Sequence, residues 1–349
     1  MRKLILLLFM LFLCGCANHA EIEETAIVVG AAVDEKDGQI ELTVETVNTV
    51  DAKEGSAKGG VFSCKADSVS EASAKMATVT GKPLYWDHLK LIVISKDGLN
   101  LYIDELLEWL LRSSHSRIDT PLAVSDTEAK ELLLLKSEGN NFISDTLMDL
   151  IDASYQNGYT VKAPAYILYN ELSSYSKASL LPYIRIKEEK AEIYGCVAIN
   201  ANKVAANLND TQTQTALILR GLLKKGEIST EEASFNIEKA KTQNTVEISG
   251  KEAVFTHKVS LSLSLDQIAD TFEDKNILID KVQKNITQNA NDLMALSKET
   301  ECDFLMFKEK LYSQNSAVFN YIEDYEAKLL LSVNVKSHGQ SKYEGIKNE

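Results

Sequence analysis

The sequence predicts a chain of the α+β, mixed α/β class: two to three subdomains, each a small sheet flanked by helices, behind a lipoprotein signal peptide. Three observations support this class. Up to about residue 175, short apolar runs of strand length alternate with segments of helical period. From Leu180 to Leu208 the pattern changes to consecutive strands. Further on, Val259, Leu261, Leu263 and Leu265 alternate strictly with Ser260, Ser262 and Ser264, the period of a strand with one buried face.

The chain opens with the positive pair Arg2-Lys3, the apolar run Leu4 to Phe12, and then Leu13-Cys14-Gly15-Cys16. A charged start, a short apolar stretch and a small residue before the cut make a secretory signal, and the cysteine after Gly15 marks the lipoprotein variety. The run is about half of the ~20 apolar residues that a spanning helix needs. Cleavage after Gly15 makes Cys16 the first residue, with a diacylglyceryl group on its thiol and an acyl chain on its amine. Each buried methylene contributes about 0.8 kcal/mol to membrane retention, so two or three chains hold firmly.

Behind the leader the remaining length suits two or three domains. Apolar content of 45% and charged content of 25% are ordinary for a globular protein. The whole chain carries a formal charge of −14; without Arg2 and Lys3, 35 basic residues face 51 acidic ones. Nucleic acid is thereby excluded as a partner, since phosphates demand basic patches. Acyl chains rather than basic residues must hold such a protein on anionic lipid. Cys64, Cys196 and Cys302 lie far apart with no Cys-x-x-Cys among them, and are expected as three separate buried thiols rather than a disulfide framework or zinc site.

In chain order, Ala26 to Val33 and the alternating Ile40, Leu42 and Val44 form a hairpin, turned at Asp37-Gly38. Residues 51–60 are a glycine-rich loop. Ser68-Val69-Ser70-Glu71 has the capping-box spacing and opens a helix to about Thr80. Leu89 to Ser95 is a strand, Ile103 to Leu111 a helix, and Ile118 to Val124 a further strand. A second capping box, Ser125-Asp126-Thr127-Glu128, is expected to open a helix through Leu135, and Ile143, Leu147, Leu150 and Ile151 mark another. Strands follow at Ile184 and Ile186, Ile193 to Ile199 and Val204 to Leu208. A helix near Asp210 to Leu223, the serine-alternating strand, a long helix with the stripe Ile279, Val282, Ile286, Leu293 and Leu296, and a strand from Leu329 to Val335 complete the chain. The expected division is residues 1–15 as signal, 16–180 as an N-terminal region of two subdomains, 181–338 as a C-terminal domain, and 339–349 as a disordered tail.

Catalytic constellations are scarce. There is no Gly-x-Ser-x-Gly elbow and no His-x-x-x-His among His19, His88, His115, His257 and His338. Ser174 and Lys177 match Ser-x-x-Lys but lack the companion motifs of penicillin-binding enzymes, so a loop is expected. Gly55 to Gly60 lacks the Gly-Lys-Ser/Thr ending of a phosphate loop. His88, beside Trp86 and Asp87, is a candidate for a carboxylate-paired histidine, against the plainer expectation of a histidine at a strand end. The Ile279 to Leu296 stripe is expected in the core rather than as a partner groove. No catalytic residue, cofactor or metal is expected.

Several segments, taken in order, resemble the Ger(x)C family, the lipoprotein C subunits of nutrient germinant receptors of spore-forming Firmicutes. They are Gly15-Cys16 leading into Glu21 to Val28, Gly81-Lys82 to Leu84-Tyr85 with His88-Leu89-Lys90 and its apolar run, Leu181-Pro182, Gly195-Cys196 to Ile199, Lys203-Val204 with Leu208, Arg220-Gly221, and Cys302-Asp303-Phe304-Leu305-Met306-Phe307 with Leu311-Tyr312. Two departures stand out. Ala17-Asn18-His19-Ala20 replaces the family's Trp-Asp-basic stretch, and Met306 stands where a glycine is usual, so a locally altered turn is expected there. The resemblance implies three α/β subdomains and a non-enzymatic subunit required for spore germination. It further implies assembly with A and B type polytopic membrane subunits and anchoring through acylated Cys16 on the outer surface of the inner spore membrane. The alternative on the residues alone is a solute-binding lipoprotein of an ABC-type transporter, which needs two doubly wound lobes closing on a ligand.

Overall fold

The structure is a computed structural model and describes residues 24–47, 59–112, 117–137, 142–230, 233–268 and 275–336. The expected signal peptide, residues 51–58 of the expected loop and the expected tail at 339–349 lie outside the described residues, whereas Gly59 and Gly60, expected in that loop, open a strand paired with Thr46 and Val47.

Thirteen strands in two sheets carry this part of the chain. The larger sheet has nine. Its parallel centre is β1 (Ala26–Lys36), β5 (Leu91–Ser95), β6 (Leu122–Ser125) and β7 (Ala178–Lys187). Antiparallel hairpins flank that centre: β2 (Gln39–Val47) and β3 (Gly59–Ala66) beyond β1, then β8 (Lys190–Asn200) and β9 (Lys203–Leu208) beyond β7. The short β4 (Leu84–Tyr85) pairs with the start of β1. Every residue of β5 and β6 is buried, as their unbroken apolar runs require for strands covered on both faces.

Alternate side chains feed two cores. Leu91 and Val93 point to one, built with α3 (Ala129–Leu133) and α4 (Ile143–Gln156); Ile92 and Ile94 point to the other, built with α1 (Val69–Thr80), α2 (Lys96–Arg112) and α5 (Ala165–Ser173). The first hairpin turns on Asp37 (φ 58°) and Gly38 (φ 81°), the left-handed pair of a two-residue turn. Gly195 has φ 70°, and a Cβ there would lie 2.1 Å from the Leu208 carbonyl oxygen, so the fold admits only glycine at that bulge.

The second sheet runs β10 (Gly226–Ser229), β11 (Ala233–Ser249), β12 (Glu252–Ile268) and β13 (Asp324–Lys336). The β11–β12 hairpin is antiparallel, whereas β13 arrives through α7 (Lys275–Glu299) and α8 (Phe307–Asn315) and pairs with β12 in parallel. Between the sheets lies α6 (Asp210–Arg220), buried at every position from Thr213 to Leu219.

Two sheets, the lower of the expected two or three, share one continuous core. The cut expected at 180/181 falls inside β7, and the sheet runs on through β8 and β9. Three local expectations need correction. Strand Ile118 to Val124 shortens to Leu122–Ser125, because Thr120 and Pro121 pair with the segment ahead of α5 instead. The segment Ala165–Ser173 is an additional helix, entered from Pro164. The second capping box does not cap: Ser125 Oγ accepts only from the Thr127 amide (3.3 Å), and α3 starts at Ala129. The Asp34 carboxylate, brought over from β1, accepts from the Ala129 (2.7 Å) and Lys130 (2.9 Å) amides. Glu45 on β2 does the same for α4, accepting from Ile143 (2.9 Å) and Ser144 (3.0 Å). The first box does cap, with Ser68 Oγ accepting from the Glu71 amide at 3.1 Å.

Candidate functional site

Cys16 and Gly15, the expected lipidation and cleavage sites, lie outside the described residues, as do His19, His115 and His338. Among the described residues no helix is long and apolar enough to cross a membrane, and no cluster of three or more His, Cys, Asp or Glu side chains could hold a metal ion.

The sequence's weak catalytic candidates have structural occupations. Ser174 Oγ donates to the Glu171 carbonyl (2.6 Å) and accepts from the Ser176 amide (3.2 Å), so the Ser-x-x-Lys hydroxyl serves a turn in which Lys177 has φ 47°. His88 is exposed, with its ring centroid 5.7 Å from that of Tyr85, and Asp87 is taken by the Tyr85 hydroxyl rather than by the histidine. It borders a cleft of about 420 Å³ in which Lys90 pairs with Asp145 and Arg117 with Asp119. Cys64, Cys196 and Cys302 are buried and free, and burial pushes the thiols of Cys196 and Cys302 up to about 11 and about 12, where they carry no thiolate at neutral pH. The Ile279 to Leu296 stripe is core: Val282, Ile286 and Leu293 are buried.

Polar side chains converge instead on the joint between the sheets. The Arg220 guanidinium pairs with Glu171 of α5, whose second oxygen accepts from the Ser179 hydroxyl of β7 at 2.6 Å. Both partners are largely buried, with side chains 8% and 18% exposed, so the pair binds α6 to the first sheet in a poorly solvated setting. From the other side, Thr242 Oγ1 donates to the Ile218 carbonyl (2.6 Å), which also accepts from the Gly221 amide, and Asn244 Nδ2 donates to that of Leu219 (3.1 Å) at the end of α6. Asn244 Oδ1 meets His257 Nδ1 at 2.9 Å, and burial pushes that imidazole down to about 4.

The second contact gathers around Asp303. Its carboxylate accepts from the Phe307 (2.9 Å) and Lys308 (2.7 Å) amides at the start of α8, and from the Ser176 hydroxyl (2.7 Å) in the loop before β7. Burial nevertheless outweighs these three bonds and holds its pKa above the ordinary carboxylate value. Ser176 Oγ in turn accepts from the Glu309 amide, and Glu309 accepts from the Tyr175 amide (3.1 Å each). Tyr175, Tyr312 and Phe319 stack beside this node, with Tyr175 centroids 3.9 Å and 4.7 Å from the other two.

Asp303, Phe304, Phe307 and Tyr312 thus act together as a joint. Met306, at the turn expected to be altered, takes φ 64°, ψ 35°, a left-handed conformation more readily adopted by glycine. An aspartate just ahead of a helical run was a legible capping signal for Asp303. Ser176 and Glu171 carried none, because their partners lie 127 and 49 residues away.

Two family models match in succession. The spore germination protein N-terminal domain covers residues 18–186, and the spore germination B3/GerAC-like C-terminal domain covers 195–340, so the change falls at the β7–β8 hairpin. The chain is 24% identical to spore germination protein B3 of Bacillus subtilis (strain 168), over 93% of this chain and 92% of that one. It is also 24% identical to spore germination protein GerQC of Bacillus cereus, over 64% of this chain and 62% of the relative. The crystal structure of the GerBC protein superposes with a TM-score of 0.53 at 20% identity, covering 90% of this chain and 99% of that one, and so shares the fold.

Proposed function

Because the chain belongs to the Ger(x)C family of spore germination proteins, we propose that it is a non-enzymatic, lipid-anchored subunit of a spore nutrient germinant receptor. It works beside two polytopic membrane subunits of the A and B types, tethered through acylated Cys16 at the outer face of the inner spore membrane. The observation that carries the proposal is the order of the two family matches, which begin just after Cys16 and occupy the chain nearly to its end. Two buried polar groups support the same role: Asp303 and Arg220 are each spent on joining the second sheet and α6 to the first, through Ser176 and Glu171.

Physically the role is that of a tethered scaffold. An anchor at Cys16 confines the folded part to within a linker length of the bilayer, an effective concentration of roughly millimolar for membrane partners. Weak contacts suffice at that concentration, and a rigid joint lets a contact on one sheet be felt on the other.

Purification of a tagged copy from detergent-solubilised spore inner membrane, with mass identification of its partners and of the N-terminal peptide, tests the proposal. Two polytopic proteins in stoichiometric amount and an acylated Cys16 are expected, and Cys16→Ala should release the protein and impair germination. Recovery with a transporter ATPase and permease would overturn it in favour of the solute-binding alternative. A normal germination response with fully soluble protein would refute the tether.

A further inference from the structure

Strand β13 ends the second sheet: its thirteen residues pair with β12 along one edge, and no described strand pairs with the other, where only the first residues, Asp324 and Tyr325, meet Lys298 of α7. Its pairing with β12 runs from Glu252↔Asp324 to Ser264↔Lys336 without a register shift, so no bulge turns the open edge away. Proline is missing from the strand, and its charges, Asp324, Glu326, Lys328 and Lys336, leave the stretch from Leu329 to Val335 without any. Its inward row is apolar yet incompletely covered: Tyr325, Ala327, Leu329, Leu331 and Val333 are only part-buried against α7, and Leu330 on the opposite face is 51% exposed. A long, straight, apolar open edge is a template for another strand.

From this edge we infer that two copies of the chain associate through β13, antiparallel about a two-fold axis at Leu330. The self-complementarity of the strand selects both the occupant and the register. Centred on Leu330, all thirteen residues overlap. Tyr325 then faces Val335, Ala327 faces Val333 and Leu329 faces Leu331, so the half-covered row is completed by itself. On the outer face Glu326 meets Asn334 and Lys328 meets Ser332, leaving no like charges opposed. A centre at Glu326 or Lys328 would set a charge against its own copy, and other centres shorten the overlap. The two four-stranded sheets would form one continuous sheet across the axis, an isologous closed contact that ends the edge rather than extending it. An edge contact of this kind is smaller than the ~800 Å² per partner of a stable soluble complex, so the pair is weak and depends on local concentration.

Cross-linking of the full chain in its membrane tests the inference. Leu330→Cys places a thiol on the axis; Leu101→Cys, 62% exposed on α2, is the control, with the unsubstituted chain alongside. Under copper-phenanthroline oxidation, the Leu330→Cys chain should form a disulfide-linked homodimer at least ten-fold faster than the control. Differently tagged Glu326→Cys and Asn334→Cys copies, mixed, should link to each other faster than either links to itself. Equal or absent linking at positions 330 and 101 overturns the inference. So does a Leu330→Cys thiol shielded from maleimide in the monomer, which would mean that the chain covers its own edge, or a link to a protein of different mass.

Discussion

The two sheets are built from similar residues but closed in different ways. The larger has helices on both faces, and its first hairpin supplies the caps for two of them through Asp34 and Glu45. The smaller has long exposed strands and one covered face, and it takes its cover from α6, α7 and α8. To the apolar core it shares with the rest, its attachment adds a short series of buried polar contacts at Arg220, Asn244 and Asp303. Both sheets bury many apolar side chains in the shared core; what sets the second apart is that single polar groups at its joint can be removed.

The largest break in that contrast should come at Arg220. Truncation in Arg220→Ala leaves the Glu171 carboxylate buried without its cation, which costs about 3–5 kcal/mol. Urea unfolding should show the loss, with the second sheet melting ahead of the first. Replacing both partners, as in Arg220→Met with Glu171→Met, should recover most of it, because no unpaired charge remains. A loss below about 1 kcal/mol for Arg220→Ala would mean that apolar packing alone holds α6 in place.

A second break is available through pH. His257 belongs to the smaller sheet, and its imidazole titrates near 4 when folded against an ordinary 6.5 when unfolded. Above pH 6.5 neither state is charged and stability is complete; as pH falls from 6.5 toward 4, the unfolded chain takes up the proton first and stability drops, by up to about 3 kcal/mol. Asp34 and Asp303 act in the opposite sense, because their raised carboxyls bind protons more readily when folded. The difference between the wild type and His257→Gln, measured by urea unfolding at pH 7 and pH 4.5, isolates the imidazole. The variant should lose its share of the acid sensitivity, and identical slopes would contradict the burial of this ring.

The capping of α3 shows where sequence could be read and where it could not. Ser68 and Ser125 head equally good boxes, yet only Ser68 caps, because a capping box is local information while α3 is started by a carboxylate 95 residues away. Periodicity found β1, β2, β12 and the stripe of α7, whose burial is decided within a few residues. It missed α5, whose Tyr166-Ile167-Leu168-Tyr169 run suits a strand equally well and is made helical by its packing on β7 and α2. The joint was half legible for the same reason: Asp303 carries a local capping signal, but its partner Ser176 lies 127 residues away and carries none. Asp34→Ala should therefore cost about 2 kcal/mol through two orphaned amides, and Ser125→Ala about 0.5 kcal/mol. Thermal unfolding of the two variants ranks them, and equal losses would restore the local box as the cap.

The smallest effect compares one strained turn in each region. Ala201 links β8 to β9 with φ 51°, and Met306 precedes α8 with φ 64°. Left-handed backbone costs a residue with a Cβ about 1–2 kcal/mol, whereas glycine adopts it freely but loses up to about 1 kcal/mol more entropy on folding. Ala201 is exposed with a methyl group that packs on little, so Ala201→Gly should stabilise by about 0.5–1 kcal/mol. Met306 has the same backbone strain, but its side chain is half-buried beside the Asp303 node, and removing it sets lost packing against relieved strain. Met306→Gly should then stabilise by less than Ala201→Gly, within about 0.5 kcal/mol of zero. Denaturant midpoints resolve the order. A gain at position 306 as large as that at 201 would show that the methionine contributes nothing to the joint, while a clear loss would show that here a side chain has taken over the work a glycine usually does.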